Sequence, residues 1–157
     1  MEIPLKIKMF IWKTCYNWIP TRGNPSKRGV NCNDICQICG KNNESTLHAL
    51  WDCSKLKYVR VWWLPSGKFC DTHFGSILEL LDFYSKRLTK VEMELFCINL
   101  WKVWCCRNDW MHKGNSFDVN EVVWWSKNFA EEIHIIGSSR GKGIVTEGRR
   151  REEVDDR

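Results

Sequence analysis

The sequence lacks the features that direct a protein into or across a membrane. Its first residues, MEIPLKIKMFIW, show no basic stretch followed by an apolar run and a small-residue cleavage site, as a signal peptide would. No apolar run elsewhere approaches the roughly 20 residues that a membrane-spanning helix needs. We therefore expect a soluble, intracellular protein in a reducing compartment, without a membrane partner.

Catalytic signatures are missing as well. The sequence has no Tyr-x-Asp-Asp motif, no Gly-rich phosphate loop and no Ser/His/Asp set. Its acidic residues are scattered, without a visible cluster for two-metal chemistry. Three histidines have no partner at ligand spacing and receive no role: His73, His112 and His134. We predict that the chain is not an enzyme.

Cysteine and tryptophan, in contrast, are abundant. The 157 residues include nine cysteines and ten tryptophans. The cysteine number is odd, the spacing is irregular, and Cys105 and Cys106 are adjacent. This pattern favours reduced thiols, some of them on a metal, over a disulfide framework. The tryptophans indicate a specifically packed core, since a buried indole N–H usually needs a partner.

The positive charge is concentrated in the first third of the chain. The net charge is +5, and residues 1–60 hold ten Lys and Arg residues against four acids. This excess is compatible with a polyanionic partner, nucleic acid before membrane. A solvated basic surface without a partner is the alternative.

Hydrophobic periodicity predicts a mainly α-helical protein. We predict helices over 6–18, within 44–62, over 74–88 and over 89–113, and a last one from 118 to about 135. The fourth is the most clearly marked, because Thr89 and Glu92 form a capping box and Gly114 is suited to the C-terminal cap. Apolar residues recur at helical spacing along the first, third and fourth of these segments: Ile7, Phe10, Ile11, Cys15 and Trp18; Ile77, Leu78, Leu81 and Tyr84; Met93, Cys97, Leu100, Trp104 and Met111.

The composition changes at Gly137. Residues 137–157 hold three aliphatic residues, no aromatic residue and many charges, so we expect a disordered tail. The Arg149–Arg151 run in it is followed at once by two acids and is interpreted as solvated. The predicted organisation is a small helical domain with a metal-stapled loop over 3–63, a helical extension over 64–136 and the tail over 137–157.

One motif indicates metal chemistry. Cys36, Cys39, His48 and Cys53 follow the spacing C-x2-C-x8-H-x4-C. A C-x2-C turn places two thiolates together, and a His and a Cys on a following helical turn can complete a tetrahedron around Zn²⁺. With no open position for water, such a zinc ion is structural. Buried free thiols beside a surface histidine are the alternative, and Cys32 is a possible substitute ligand with a less natural spacing.

The order of several motifs resembles a known family. The motifs are Ile3-Pro4, Lys6-Ile7-Lys8, Phe10-x-Trp12, Ile19-Pro20-Thr21-Arg22, Lys27-Arg28-Gly29-Val30, Cys36-x2-Cys39-Gly40, Glu44-Ser45, His48, Cys53 and the later Trp101-Lys102-x-Trp104-x2-Arg107-Asn108. Together they are similar to the zinc-binding module that follows the reverse transcriptase of plant LINE-type (non-LTR) retrotransposons, over about residues 3–117. The resemblance implies a retroelement-derived module that grips RNA or DNA, with Cys36, Cys39, His48 and Cys53 as ligands.

The resemblance also implies a reverse transcriptase partner that this chain does not contain, and a nuclear location. From the positions of its two ends in the family pattern we expect a fragment or a degenerate copy. A zinc-stapled helical scaffold that contacts protein, or a retrotransposon relic without function, are the alternatives to nucleic-acid binding.

Six basic residues are candidates for phosphate contacts: Lys6, Lys8, Lys13, Arg22, Lys27 and Arg28. Plain solubility is the alternative for each. Trp12, Trp18 or Trp51 could stack on bases if exposed. Because Trp12 and Trp18 have helical spacing, we expect them to pack in the core instead. Asn108, on the apolar stripe of its helix, is expected to be a satisfied buried amide or a solvent-facing residue.

Overall fold

The first helix ends earlier than the apolar pattern predicts. In a computed structural model, which describes residues 2–24, 29, 31, 33–63, 72–114 and 117–142 (of which 62, 63 and 135–142 in backbone only), α1 spans Leu5–Cys15. Asn17 adopts a left-handed φ of 53°. The Trp18 N–H donates to the Lys13 carbonyl at 2.9 Å and the Asn17 N–H to the Thr14 carbonyl at 3.0 Å. This Schellman ending stops the helix three residues before the predicted end and turns Trp18 back towards it.

The helix predicted within 44–62 occupies only the last part of that segment. The segment forms a π-helical turn at His48–Asp52, a 3₁₀ turn at Ser54–Leu56 and then the short helix α2 at Lys57–Trp63. Cys53 interrupts the helical path with φ −56° and ψ 130°. Four apolar residues of this segment lie in the core: Leu47, Leu50, Trp51 and Val59.

The third helix, α3, spans Ile77–Ser85, which is shorter than the predicted 74–88. It begins where the Ser76 hydroxyl accepts a hydrogen bond from the Glu79 N–H at 3.2 Å. Its buried face contains Leu80, whereas Leu78 is 53% exposed. The prediction for Leu78 is therefore wrong, because the face that packs follows positions 77, 80, 81 and 84.

The long helix α4, Lys90–Lys113, confirms the sequence signals at both ends. Thr89 and Glu92 form a reciprocal capping box, and Gly114 closes the helix with a left-handed φ of 68°. The predicted stripe is buried at Cys97, Leu100 and Trp104.

The last described helix, α5, spans Val119–Lys142. It runs past the predicted boundary at residue 137, because no proline interrupts it and each added residue forms a further backbone hydrogen bond. The rest of the predicted tail, 143–157, lies outside the described residues.

The core joins the N-terminal and C-terminal parts of the chain. Trp51 of the π turn, Tyr84 of α3 and Phe96 of α4 form an aromatic triangle with ring centroids 4.8–5.7 Å apart. Both predicted regions, 3–63 and 64–136, contribute to the same buried cluster, for example through Leu50 and Leu100. The boundary between the regions stays a prediction.

The architecture is mainly α-helical, as predicted. The described residues contain no strand, and Ile35 and Asn43 form one isolated antiparallel bridge. Within the same residues, no helix is both long and apolar enough to cross a bilayer.

Candidate metal centre

A tight loop presents the first two cysteines. The Glu44 N–H donates to the Asp34 carbonyl at 2.7 Å, and the Cys36 N–H donates to the Asn42 carbonyl at 2.8 Å. These bonds fold residues 34–44 back on themselves. Gly40, directly after Cys39, has φ 67°, a left-handed conformation that only glycine adopts without strain. The Gly40 N–H donates to the Cys36 carbonyl at 2.7 Å and closes the turn between the two cysteines.

The π turn presents the other two residues. The Ser45 hydroxyl accepts a hydrogen bond from the His48 N–H at 3.0 Å, which starts the turn. The Cys53 N–H then donates to the His48 carbonyl, five residues back, at 3.0 Å. In an α-helix the bonded pair would be four residues apart, so the wider turn is what brings positions 48 and 53 together.

The four predicted ligands converge on one point. The sulfur atoms of Cys36, Cys39 and Cys53 and one ring nitrogen of His48 all lie within 4.8 Å of one another. Cys39 Sγ is 3.4 Å from His48 Nε2. A tetrahedral zinc ion with sulfurs at about 2.3 Å requires sulfurs roughly 3.8 Å apart, so the spacing and the donor types fit this metal.

Burial isolates the cluster from water. Cys36 and Cys53 are 0% and 1% exposed, His48 is 6% exposed, and Cys39 is half-buried. Four protein donors complete a tetrahedron and leave no position for a reacting water molecule. The arrangement can therefore hold a metal and staple the loop to the π turn. The possible substitute ligand Cys32 lies outside the described residues.

Hydrogen bonds within the cluster favour thiolates at the first two cysteines. The pKa of Cys36 lies well below its ordinary value because its sulfur accepts a hydrogen bond from Cys53, which in turn raises the pKa of Cys53. Burial opposes ionisation of Cys39, but backbone N–H groups of Asn42 and Lys41 donate to its sulfur, and its pKa is lowered overall. The hydrogen bond to Cys36 raises the pKa of His48. The thiolate is the form in which cysteine binds a metal.

A buried ion pair anchors the loop to α4. Arg107 Nη2 is 2.5 Å from Glu44 Oε2, and Arg107 Nε donates to Glu44 Oε1 at 3.1 Å. Glu44 Oε2 also accepts the Arg22 N–H at 2.9 Å. Glu44 and Arg107 both belong to the motifs that resemble the family, but no role for either was predicted from the sequence. Helical periodicity was the available signal, because Arg107 lies three residues after Trp104 on the buried face.

Asn108, the neighbour of Arg107, is half-buried, and its Oδ1 accepts a hydrogen bond from Arg107 Nη1 at 2.9 Å. It is thus a satisfied amide that supports the ion pair.

The structure separates the six basic candidates into three groups. Lys6, Lys8 and Lys13 are exposed on α1, and no ion pair among the described residues involves them. Arg22 is half-buried, and its Nη1 donates to the Asn33 carbonyl at 3.2 Å, so it supports the loop. Lys27 and Arg28 lie outside the described residues.

The expectation that Trp12 and Trp18 pack in the core is wrong. They are 45% and 55% exposed, and their rings meet edge to face with centroids 5.0 Å apart. Tyr16, 58% exposed, lies beside both. The Schellman ending explains the placement of Trp18, since it folds this residue over the solvent-facing side of α1, on which Trp12 lies. Trp51 is 4% exposed and unavailable for base stacking.

Comparison with known proteins agrees with this geometry. Residues 1–62 match the family described as zinc-binding in reverse transcriptase. Over 142 residues the chain is 25% identical to an Arabidopsis thaliana protein whose name describes it as a candidate ribonuclease H protein. The match covers 85% of this chain and 22% of that relative, so the chain spans about a fifth of the relative's length. No solved structure matches the chain.

The family match covers the segment that supplies all four clustered residues, and it confirms the resemblance found in the sequence. Residues 1–62 of this chain match the zinc-binding domain of reverse transcriptases, and the plant relative is consistent with a retroelement origin.

Proposed function

We propose that the chain is a nucleic-acid-binding module that is stabilised by one structural zinc ion and has no catalytic activity of its own. The observation that carries the proposal is the solvent-facing side of α1. Lys6, Lys8 and Lys13 are exposed there, and Leu5–Cys15 contains no acidic residue. Exposed cations without local counter-charges attract the phosphates of a polyanion and release its bound counterions.

Other lysines of the chain provide a contrast. Lys86 lies 2.6 Å from Asp82, Lys90 lies 3.5 Å from Glu2 and Lys113 lies 2.7 Å from Asp109. Neighbouring carboxylates balance the charges of these three lysines, so we expect them to attract a polyanion more weakly. Three of the ten basic residues of the N-terminal region therefore lie together on α1, a helix that contains no acidic residue.

The α1 lysines can be tested by a salt titration of binding to fluorescent RNA and DNA. We expect log Kd to change linearly with log salt concentration. Replacing Lys6, Lys8 and Lys13 by alanine should reduce that slope by about 2 for a single strand. A matched triple variant, with Lys86, Lys90 and Lys113 replaced by alanine, should change it much less. Equal slopes in both variants, or no binding at low salt, would overturn the proposal.

The zinc ion requires a separate measurement. The convergence of three sulfurs and one imidazole supports Zn²⁺ at Cys36, Cys39, His48 and Cys53. We expect one zinc per chain by elemental analysis of the purified protein. The Cys39→Ser variant should lose the metal and the helical circular dichroism signal. The Cys15→Ser variant should keep both, because Cys15 lies outside the cluster. Full zinc content in Cys39→Ser would exclude this ligand set.

The absence of catalysis is supported by the closed donor set. The described residues hold no second group of three His, Cys, Asp or Glu side chains placed to bind a metal. The zinc-loaded chain with added Mg²⁺ should leave an RNA–DNA hybrid uncut. Cleavage that a further purification step removes would be contamination, and cleavage that stays with the purified chain would refute this part of the proposal.

A second candidate function, a scaffold that contacts protein, has one specific observation in its favour. Leu5, Met9, Trp12 and Tyr16 form an exposed stripe along α1, with exposures between 43% and 72%. A separately expressed reverse transcriptase domain that covered this stripe would displace nucleic acid from the lysines beside it. Binding of that domain without any nucleic-acid binding would favour the scaffold.

A further inference from the structure

A groove lies between α1 and α4, beside the exposed aromatic residues. Its volume is about 420 Å³, within the range of small-ligand sites. Two lysines, three tryptophans and a methionine form most of its lining: Lys6, Met9, Lys13, Trp18, Trp101 and Trp104. Neither the lining nor α1 contains an acidic residue. A groove with cationic edges and aromatic walls matches the chemistry of one unpaired nucleotide, and it is too small for a duplex.

We propose that this groove binds single-stranded nucleic acid, with one base stacked on Trp18 and the flanking phosphates contacted by Lys6 and Lys13. The inference rests on the proposed function and assigns its ligand class. Lys6 and Lys13 lie seven residues apart on α1, so about 10.5 Å of helix separates them along the groove. That separation leaves room for a base between the two phosphate contacts.

Trp18 is held in place for stacking. The Asn24 side chain donates to the carbonyls of Asn17 and Ile19, on either side of Trp18, at 2.9 and 2.7 Å. The rings of Trp12 and Tyr16 lie against it with centroids 5.0 and 5.4 Å away. Although 55% of Trp18 is exposed, its backbone and one side of its ring are thus constrained. Little further ordering is required when a base stacks on it, which favours binding.

Lys6 is also positioned before any ligand arrives. Its Nζ lies 4.5 Å from the ring centroid of Trp101 and 5.7 Å from that of Phe129. A cation–π contact at an exposed site is weak, so it holds the ammonium at the groove edge without preventing its approach to a phosphate. Trp101 is accordingly a positioning residue for Lys6, and Trp18 is the stacking surface.

The test compares one strand in two states, with the zinc-loaded full chain. A fluorescein-labelled 12-nucleotide DNA of mixed sequence is titrated alone and annealed to its complement, and binding is followed by anisotropy. We expect the single strand to bind more tightly than the duplex. Trp18→Ala should weaken single-strand binding about fivefold or more, the usual effect of losing one stacked base.

Two variants control for a structural effect of losing Trp18. Trp18→Phe keeps a ring and should retain most of the binding. Trp124→Ala removes another exposed tryptophan, 68% exposed on α5, and should change nothing. If Trp18→Ala fails to fold, Met9→Glu replaces it, because an acid inside the groove should repel the strand at least as strongly.

The outcomes separate the inference from the function on which it rests. Equal binding of duplex and single strand, or unchanged affinity in both Trp18→Ala and Met9→Glu, overturns the groove while leaving nucleic-acid binding intact. No binding of either state at low salt overturns both. The inference would also be overturned if the reverse transcriptase domain covered Trp18 while the anisotropy of the labelled DNA stayed unchanged.

Discussion

Replacing Arg107 should destabilise the protein far more than replacing any surface cation. Arg107 and Glu44 are 3% and 0% exposed and are joined by two bonds of 2.5 and 3.1 Å. Arg107→Met retains much of the apolar volume but leaves the Glu44 carboxylate buried without its cation. Removing one partner of a buried pair costs about 3–5 kcal/mol, because an uncompensated charge then stays in the interior.

The matched control is Lys113→Met. Lys113 and Asp109 form an i,i+4 pair at 2.7 Å, with 65% and 48% of their side chains exposed. Such pairs contribute about 0–1 kcal/mol, since water screens them. Urea unfolding followed by far-UV circular dichroism measures both variants, at a constant saturating concentration of zinc because metal binding itself contributes to stability.

A double-mutant cycle identifies the source of the effect. Glu44→Gln alone leaves the guanidinium buried without a carboxylate, whereas the double variant, Glu44→Gln with Arg107→Met, leaves neither charge. The cost of the double variant should therefore be below the sum of the single costs by about 0.5–3 kcal/mol. Additive costs, or a cost of Arg107→Met within about 1 kcal/mol of that of Lys113→Met, would refute the assignment of the pair as the link between loop and helix.

Four further predictions rest on local features. Thr89→Ala removes the N-cap of α4 and should lower the free energy of unfolding by about 1 kcal/mol, measured by urea unfolding. The backbone N–H and the hydroxyl of Thr89 donate to Glu92 and lower the pKa of its carboxyl. The contribution of this carboxylate to the free energy of unfolding is therefore present above the unfolded pKa of 4.5 and is lost as pH falls through the folded pKa. A pH-independent effect of Glu92→Gln on stability would contradict this. Burial raises the pKa of Cys97 to about 12. Mass spectrometry should therefore find Cys97 unmodified by iodoacetamide at pH 8 in the folded protein and modified in urea. Rapid modification without urea would show that the core opens around Cys97. Zinc should leave the loaded protein as pH falls, because protons compete with the metal for the thiolates and the imidazole. A colorimetric chelator should detect the released zinc. Retention of zinc in strong acid would exclude the cysteine–histidine site.

The sequence by itself was sufficient to find the four clustered residues and the ends of α4. Both depend on short-range spacing: a C-x2-C turn, a His and a Cys five residues apart, and a capping box spanning Thr89–Glu92. Interactions over so few residues depend little on the rest of the fold. The mainly helical class followed for the same reason, since an apolar period of 3.6 residues is a local property.

Only the tertiary structure revealed the Glu44–Arg107 pair, the exposure of Trp12 and Trp18, and the groove. The pair joins residues 63 positions apart, and either charge alone resembles a surface residue. The apolar pattern of α1 could not reveal which tryptophans face water, because the left-handed Asn17 ends the helix and turns Trp18 outward. The conformation of the π turn also depends on packing. Trp51 packs in the aromatic core, while His48 and Cys53 lie beside the loop that carries Cys36 and Cys39. Spacing along the chain thus identified the four clustered residues, whereas the packing of distant helices determined which charges and rings remain exposed.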